Sequence, residues 1–135
     1  RDLHDAADAL GTDEVGLIGF CLGGMYCFKS ARSKRFKKIV SFYGMIKVPD
    51  GWKSATQGEP LEYLRTGNSE SVLAIIGGKD HYTPPSDVAE LAKLKVETQM
   101  YPDAEHGFAH DASRPSHRVQ DAADAFSRTR AWLLS

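Results

Sequence analysis

The chain has 135 residues, with 17 lysines and arginines against 18 aspartates and glutamates, so its formal net charge is −1. That length accommodates one domain whose core needs no disulfide or metal staples, and 41% apolar with 26% charged residues excludes a disordered, collagen-like or low-complexity chain. Near-zero charge removes the electrostatic case for nucleic acid or an anionic membrane as partner, and no apolar run is long enough for a transmembrane helix.

In chain order, residues 3–10 are Ala-rich with helical spacing and stop at Gly11, a natural helix terminator. Val15–Phe20 is an almost wholly apolar run, as expected of a strand covered on both faces. Residues 22–32 form a helix with Met25, Phe28 and Ala31 on one side, and the basic run Arg32–Lys38 after it reads as a solvated loop. Ile39–Tyr43 and Val72–Ile76 repeat the buried-strand character; between them Pro49–Gly58 is a loop and Leu61–Leu64 a short helix. Pro84-Pro85 opens a helix carrying Val88, Leu91 and Leu94. Val96, Thr98 and Met100 alternate with polar neighbours, the pattern of a half-exposed edge strand. The closing helix places Val119, Ala122, Phe126 and Leu133 on one side. Strands alternating with helices predict an α/β fold: a mostly parallel sheet of about four strands flanked by helices, in one domain over 1–135.

Two cysteines six residues apart, Cys21 and Cys27, fall short of a disulfide framework, so a reduced pair in the cytoplasm is the expectation. The chain opens Arg-Asp-Leu-His, without methionine or a signal-peptide apolar region, and reads as the interior of a longer chain.

The sharpest chemical feature is Gly19-Phe20-Cys21-Leu22-Gly23-Gly24, where a buried strand meets a helix. A turn that tight strains its central residue and needs small neighbours, here Gly19 and Gly23; the Cys21 side chain is pushed out above the sheet edge, as in a G-x-[Ser/Cys]-x-G nucleophile elbow. The helix N-terminus favours an anion at the corner and aims the Leu22 amide at a developing oxyanion. Cys27, further along among Met25 and Phe28, reads as a buried, inert thiol.

A nucleophile needs a base, and the base an orienting acid. Gly77-Gly78-Lys79-Asp80 follows the third strand, and Asp103-Ala104-Glu105-His106-Gly107-Phe108 follows the fourth. Both stretches fall at the carboxyl rim of a parallel sheet, as does Cys21, and such rims hold the ligand sites of open α/β sheets. Strands one and three lie about 10 Å apart, at ~4.8 Å per neighbour, so a loop imidazole must bridge acid and nucleophile. His81, His110 and His117 compete for the base role, but none precedes a glycine-aromatic turn after a strand. A His106–His110 metal pair would need a helix that Gly107 discourages, so no metal is expected.

With GFCLGG at 19–24, SFYG at 41–44, GKDHYTPP at 78–85 and YPDAEHGF at 101–108, the sequence resembles the dienelactone hydrolase (carboxymethylenebutenolidase) family of the α/β-hydrolase superfamily, over the C-terminal part of that fold. The resemblance implies Cys21 as nucleophile, His106 as base and Asp80 as its orienter, in a cofactor-free hydrolase of lactones or small carboxylic esters acting through a thioester acyl-enzyme. It implies a substrate-lining role for Tyr43. It also implies one for His110, which stands four residues after the base, where the family carries a carboxylate-binding arginine. Arg114 is close by and is expected in a surface ion pair. The family's first strands, second oxyanion donor and further pocket residues would lie upstream. Without them Val15–Phe20 exposes an unpaired edge open to self-association, and the isolated chain would be a poor catalyst. Two other readings stand beside the hydrolase: a non-catalytic α/β-hydrolase-like module that binds a ligand or partner, and a redox-active thiol, for which no C-x-x-C is present.

Overall fold

The computed structural model describes residues 1–135. The order is α1 (Asp2–Asp8), β1 (Gly16–Phe20), α2 (Leu22–Ser30), β2 (Lys38–Phe42), α3 (Pro60–Thr66), β3 (Val72–Gly77), α4 (Pro85–Leu91), β4 (Glu97–Tyr101) and α5 (Val119–Leu133), with 3₁₀ turns at Asp50–Trp52 and Ser69–Ser71. The four strands form one parallel sheet in the order β1-β2-β3-β4. No helix is long and apolar enough to cross a membrane.

Period-two alternation on the central strands divides the core into two layers. Val72, Ala74 and Ile76 of β3 and Ile39 of β2 face α2, α3 and α4, packing with Phe28, Leu64 and Leu91. Leu73 and Ile75 of β3 and Val40 and Phe42 of β2 face the other way, toward α5 and the loop carrying Phe108. Phe28, Phe42 and Phe108 are fully buried, each contributing about 2–3 kcal/mol of apolar transfer.

Two expectations are corrected. The first concerns β1, which reads as covered on both faces, yet Gly16 and Ile18 are exposed and Leu17 and Phe20 partly so. β1 pairs with β2 alone. Val15 accepts from the Lys37 amide and the Cys21 amide donates to Phe42, so the polar groups of residues 16, 18 and 20 point to the open side. The second is the buried face of α5, which is Ala122, Ala125 and Thr129, while Val119 is 73% and Phe126 42% exposed. Small side chains let this helix lie close to the sheet, and its indole Trp132 Nε1 donates to the Ser71 carbonyl at 3.1 Å.

Candidate active site

The site is assembled from the carboxyl ends of all four strands. After β1 the chain turns at Cys21, which has φ 55° and ψ −118° and serves as the N-cap of α2. A non-glycine residue there is strained, and such strain at a strand–helix corner is what lifts a side chain clear of the sheet. Gly19 makes the corner possible: a Cβ there would collide with the Gly23 backbone and stand 2.8 Å from Cys27 Sγ. The paired role expected of Gly23 is corrected, because a Cβ at Gly23 meets nothing within 4 Å. Its side chain would point outward into a groove of about 530 Å³ beside the open edge of β1. That groove contains none of Cys21, Asp80 or His106.

Asp80 and His106 are brought together by cross-linking of the two loops that follow β3 and β4. The Gly78 amide donates to Tyr101 O at 2.8 Å and the Lys79 amide to Ala104 O at 2.9 Å, while the exposed Lys79–Asp103 pair closes the loop bases at 3.0 Å. The Asp80 carboxylate is wholly buried and has both oxygens engaged. Oδ1 accepts from the Tyr82 amide at 2.8 Å, and Oδ2 lies 2.8 Å from His106 Nδ1. Aspartate bonding the backbone two residues on is a local turn habit; here it aims the second oxygen at the imidazole. The His106 ring sits between Tyr43, at 5.2 Å and edge-on, and Tyr82, at 4.7 Å. Gly107, at φ 75°, turns the chain immediately after it.

An Nδ1–H donated to Asp80 leaves Nε2 for the thiol. Burial disfavours the imidazolium, but the Asp80 carboxylate bonded to Nδ1, with the Cys21 sulfur close by, outweighs it and lifts the His106 pKa to about 9. Cys21 is partly exposed. Leu22 is the first residue of α2, where the backbone N–H has no intrahelical acceptor and is free for an oxyanion. Cys27 is 1% exposed, and burial pushes its thiol up to about 12.

Tyr43 and His110 are placed together, in a way the sequence did not suggest. Tyr43 is 0% exposed, so it has no surface to present directly to a substrate; its hydroxyl is hydrogen-bonded to His110 Nδ1. It is also the second strained residue of the rim, at φ 40°. Arg114 departs from the expected ion pair. It makes none, and its guanidinium instead lies where a Cβ on Gly107 would be. Sequence reasoning missed Tyr82 as a holder of both Asp80 and His106, although its position two after an aspartate was a usable signal. It also missed the aromatic margin formed by Phe20, Phe42 and Phe126.

A parallel sheet with a strained corner after β1, an acid after β3 and a histidine after β4 defines an α/β-hydrolase-type fold. The dienelactone hydrolase family model matches residues 3–135, and the chain belongs to that family. It is 34% identical over 125 residues to a Synechocystis sp. protein named "Putative carboxymethylenebutenolidase", covering 87% of this chain and 49% of that one. It is 29% identical over 133 residues to a Bradyrhizobium protein named "Probable 2-oxo-3-(5-oxofuran-2-ylidene)propanoate lactonase", covering 93% and 52%. Among solved structures, "Putative Dienelactone Hydrolase from Klebsiella pneumoniae" superposes with a TM-score of 0.82 at 26% identity, over 99% of this chain and 59% of that one. The chain thus spans about half the length of the curated relatives it matches.

Proposed function

We propose that the site is that of a thiol hydrolase acting on lactones and small carboxylic esters. The observation that carries this reading is the 2.8 Å Asp80–His106 contact at the same sheet rim as a cysteine held at a strained strand–helix corner. Cys21 passes its thiol proton to His106 Nε2, and the resulting thiolate attacks the carbonyl carbon, forming a C–S bond while the carbonyl electrons move onto oxygen, where the Leu22 amide stabilises them. As that tetrahedral centre collapses, the ester C–O bond breaks and His106 Nε2 gives its proton to the departing alkoxide, leaving a thioester. Water, deprotonated by His106, then attacks the thioester; the acid leaves and the thiolate is restored. Asp80 holds Nδ1–H throughout and stabilises the imidazolium.

Family membership and the names borne by relatives support the ester and lactone class. One oxyanion donor, Leu22, is assigned. A site short of a second donor is slower by roughly a hundred- to a thousandfold, and the 135-residue chain is expected to turn over at that reduced level. The test is release of p-nitrophenolate from p-nitrophenyl acetate by the wild-type chain and by Cys21→Ala and His106→Ala. Loss of turnover in both variants supports the proposal, and wild-type turnover in both overturns it.

A further inference from the structure

Tyr43 is the least expected residue of the rim: buried, strained, and spending its hydroxyl on a histidine 67 positions away. Burial raises the phenol's pKa, so it keeps its proton at neutral pH. The buried hydroxyl has a single proton to give, and Nδ1 of His110 is the hydrogen-bond partner in front of it. That fixes one tautomer, with Nδ1 bare and Nε2 protonated. Burial and the Arg114 charge lower the His110 pKa, which keeps the ring neutral at pH 7.

The ring so held is an exposed part of the catalytic rim. Its centroid lies 5.3 Å from Phe20, the residue before Cys21, and 5.7 Å from Tyr43, whose own ring touches His106. Nε2 is on the opposite side of the imidazole from the buried Tyr43 hydroxyl. Next to it, Phe20 and the 42%-exposed Phe126 stand 6.4 Å apart and make an apolar shelf.

We propose that His110 is a specificity residue of this site, a neutral donor that gives its Nε2–H to an uncharged oxygen of a substrate whose apolar part rests on Phe20 and Phe126, with Tyr43 as the positioning residue that fixes the donor. The inference rests on the hydrolase reading above and deepens it to substrates with an uncharged acceptor oxygen beside an apolar group.

The test is nitrogen-15 NMR of the histidine side chains, with phenyl acetate as probe in the Cys21→Ala chain, where no turnover is expected. The expected results are an unprotonated Nδ1 and a protonated Nε2 for His110 at pH 7, mixed tautomers in Tyr43→Phe, and movement of the His110 Nε2 signal as phenyl acetate is added. In the same background His110→Leu is expected to weaken binding about three- to tenfold, the size of one neutral hydrogen bond, and His110→Gln, which retains a donor, to recover most of it. An Nδ1–H tautomer, indifference to Tyr43→Phe, an Nε2 signal unmoved by phenyl acetate, or unchanged affinity in His110→Leu would each overturn the proposal. Failure of the hydrolase reading looks different: a wild-type chain that never releases p-nitrophenolate while the tautomer and the probe-induced shift persist.

Discussion

The two cysteines occupy opposite environments although only six residues separate them. Cys21 sits at the corner with φ 55°, partly exposed, on the rim that carries the His106 imidazole with its raised pKa. Cys27, later in the same helix, is sealed in the core with its thiol pushed up to about 12. In the proposed reading, the difference in reactivity comes from where the backbone leaves each sulfur, since residue type and helix are shared. The two are also mechanically linked, because Cys27 Sγ fills the space over Gly19, the residue whose lack of a side chain lets the corner form.

The comparison breaks most directly by removing each sulfur in turn. Cys21→Ala is expected to lower acyl transfer by up to ~10⁶-fold, the scale seen when a triad nucleophile is deleted, with little change in the urea midpoint. Cys27→Ala is expected to keep the rate within about threefold, and the small void it leaves should cost about 1–2 kcal/mol of stability. Steady-state hydrolysis and urea unfolding of the two variants read both effects. Rates that fell together would mean the corner and the core thiol are not functionally distinct.

The glycines flanking Cys21 sharpen the same contrast. Gly19→Ala forces a methyl into the Gly23 backbone and Cys27 Sγ, and overpacking of this kind costs about 1–3 kcal/mol. Gly23→Ala places its methyl in open space within a helix, where alanine is favoured over glycine by up to ~1 kcal/mol. A lowered urea midpoint for the first variant and an unchanged or raised one for the second are expected. Adding Cys27→Ala to Gly19→Ala leaves the backbone collision in place and is not expected to restore stability. Equal midpoints for the two glycine variants would contradict this account of the elbow.

What could be read from the sequence follows from how local each cause is. The elbow, the acid after β3 and the histidine after β4 were legible because each is a short motif at a strand end and a parallel sheet puts strand ends on one edge. The parallel sheet was legible from buried apolar runs alternating with helices. On the expected face of α5, Ala122 and Leu133 do pack inward, but Val119 and Phe126 do not; Ala125 and Thr129 take the contact instead, through smallness that hydrophobicity does not report. The open edge of β1 was expected and is present, but the cover over its faces was misread because an apolar composition reports what a strand could bury and not what packs on it. The Tyr43–His110 bond joins residues 67 apart through a strained backbone at Tyr43, and no local pattern announces either.

A last expected effect uses pH to separate the two regions. The His106 pKa is about 9 against an ordinary 6.5, so the folded chain holds a proton that the unfolded chain has released. Its contribution is complete below about pH 6.5 and disappears as pH rises through about 9. Allowing for partial exposure, it amounts to roughly 2 kcal/mol. Cys27 acts later and through the opposite form. Its folded thiol stays neutral to about 12 while the unfolded thiol ionises near 9.0, so it removes stability only as pH climbs above that lower value. Urea unfolding between pH 6 and 10 should therefore show two successive losses. Asp80→Asn, which removes the carboxylate charge that helps hold the His106 proton, should flatten the stretch from pH 6.5 to 9 and leave the later decline. Cys27→Ala should do the reverse. If both variants changed the same stretch of the curve, the imidazole at the rim and the thiol in the core would not be titrating as separate regions.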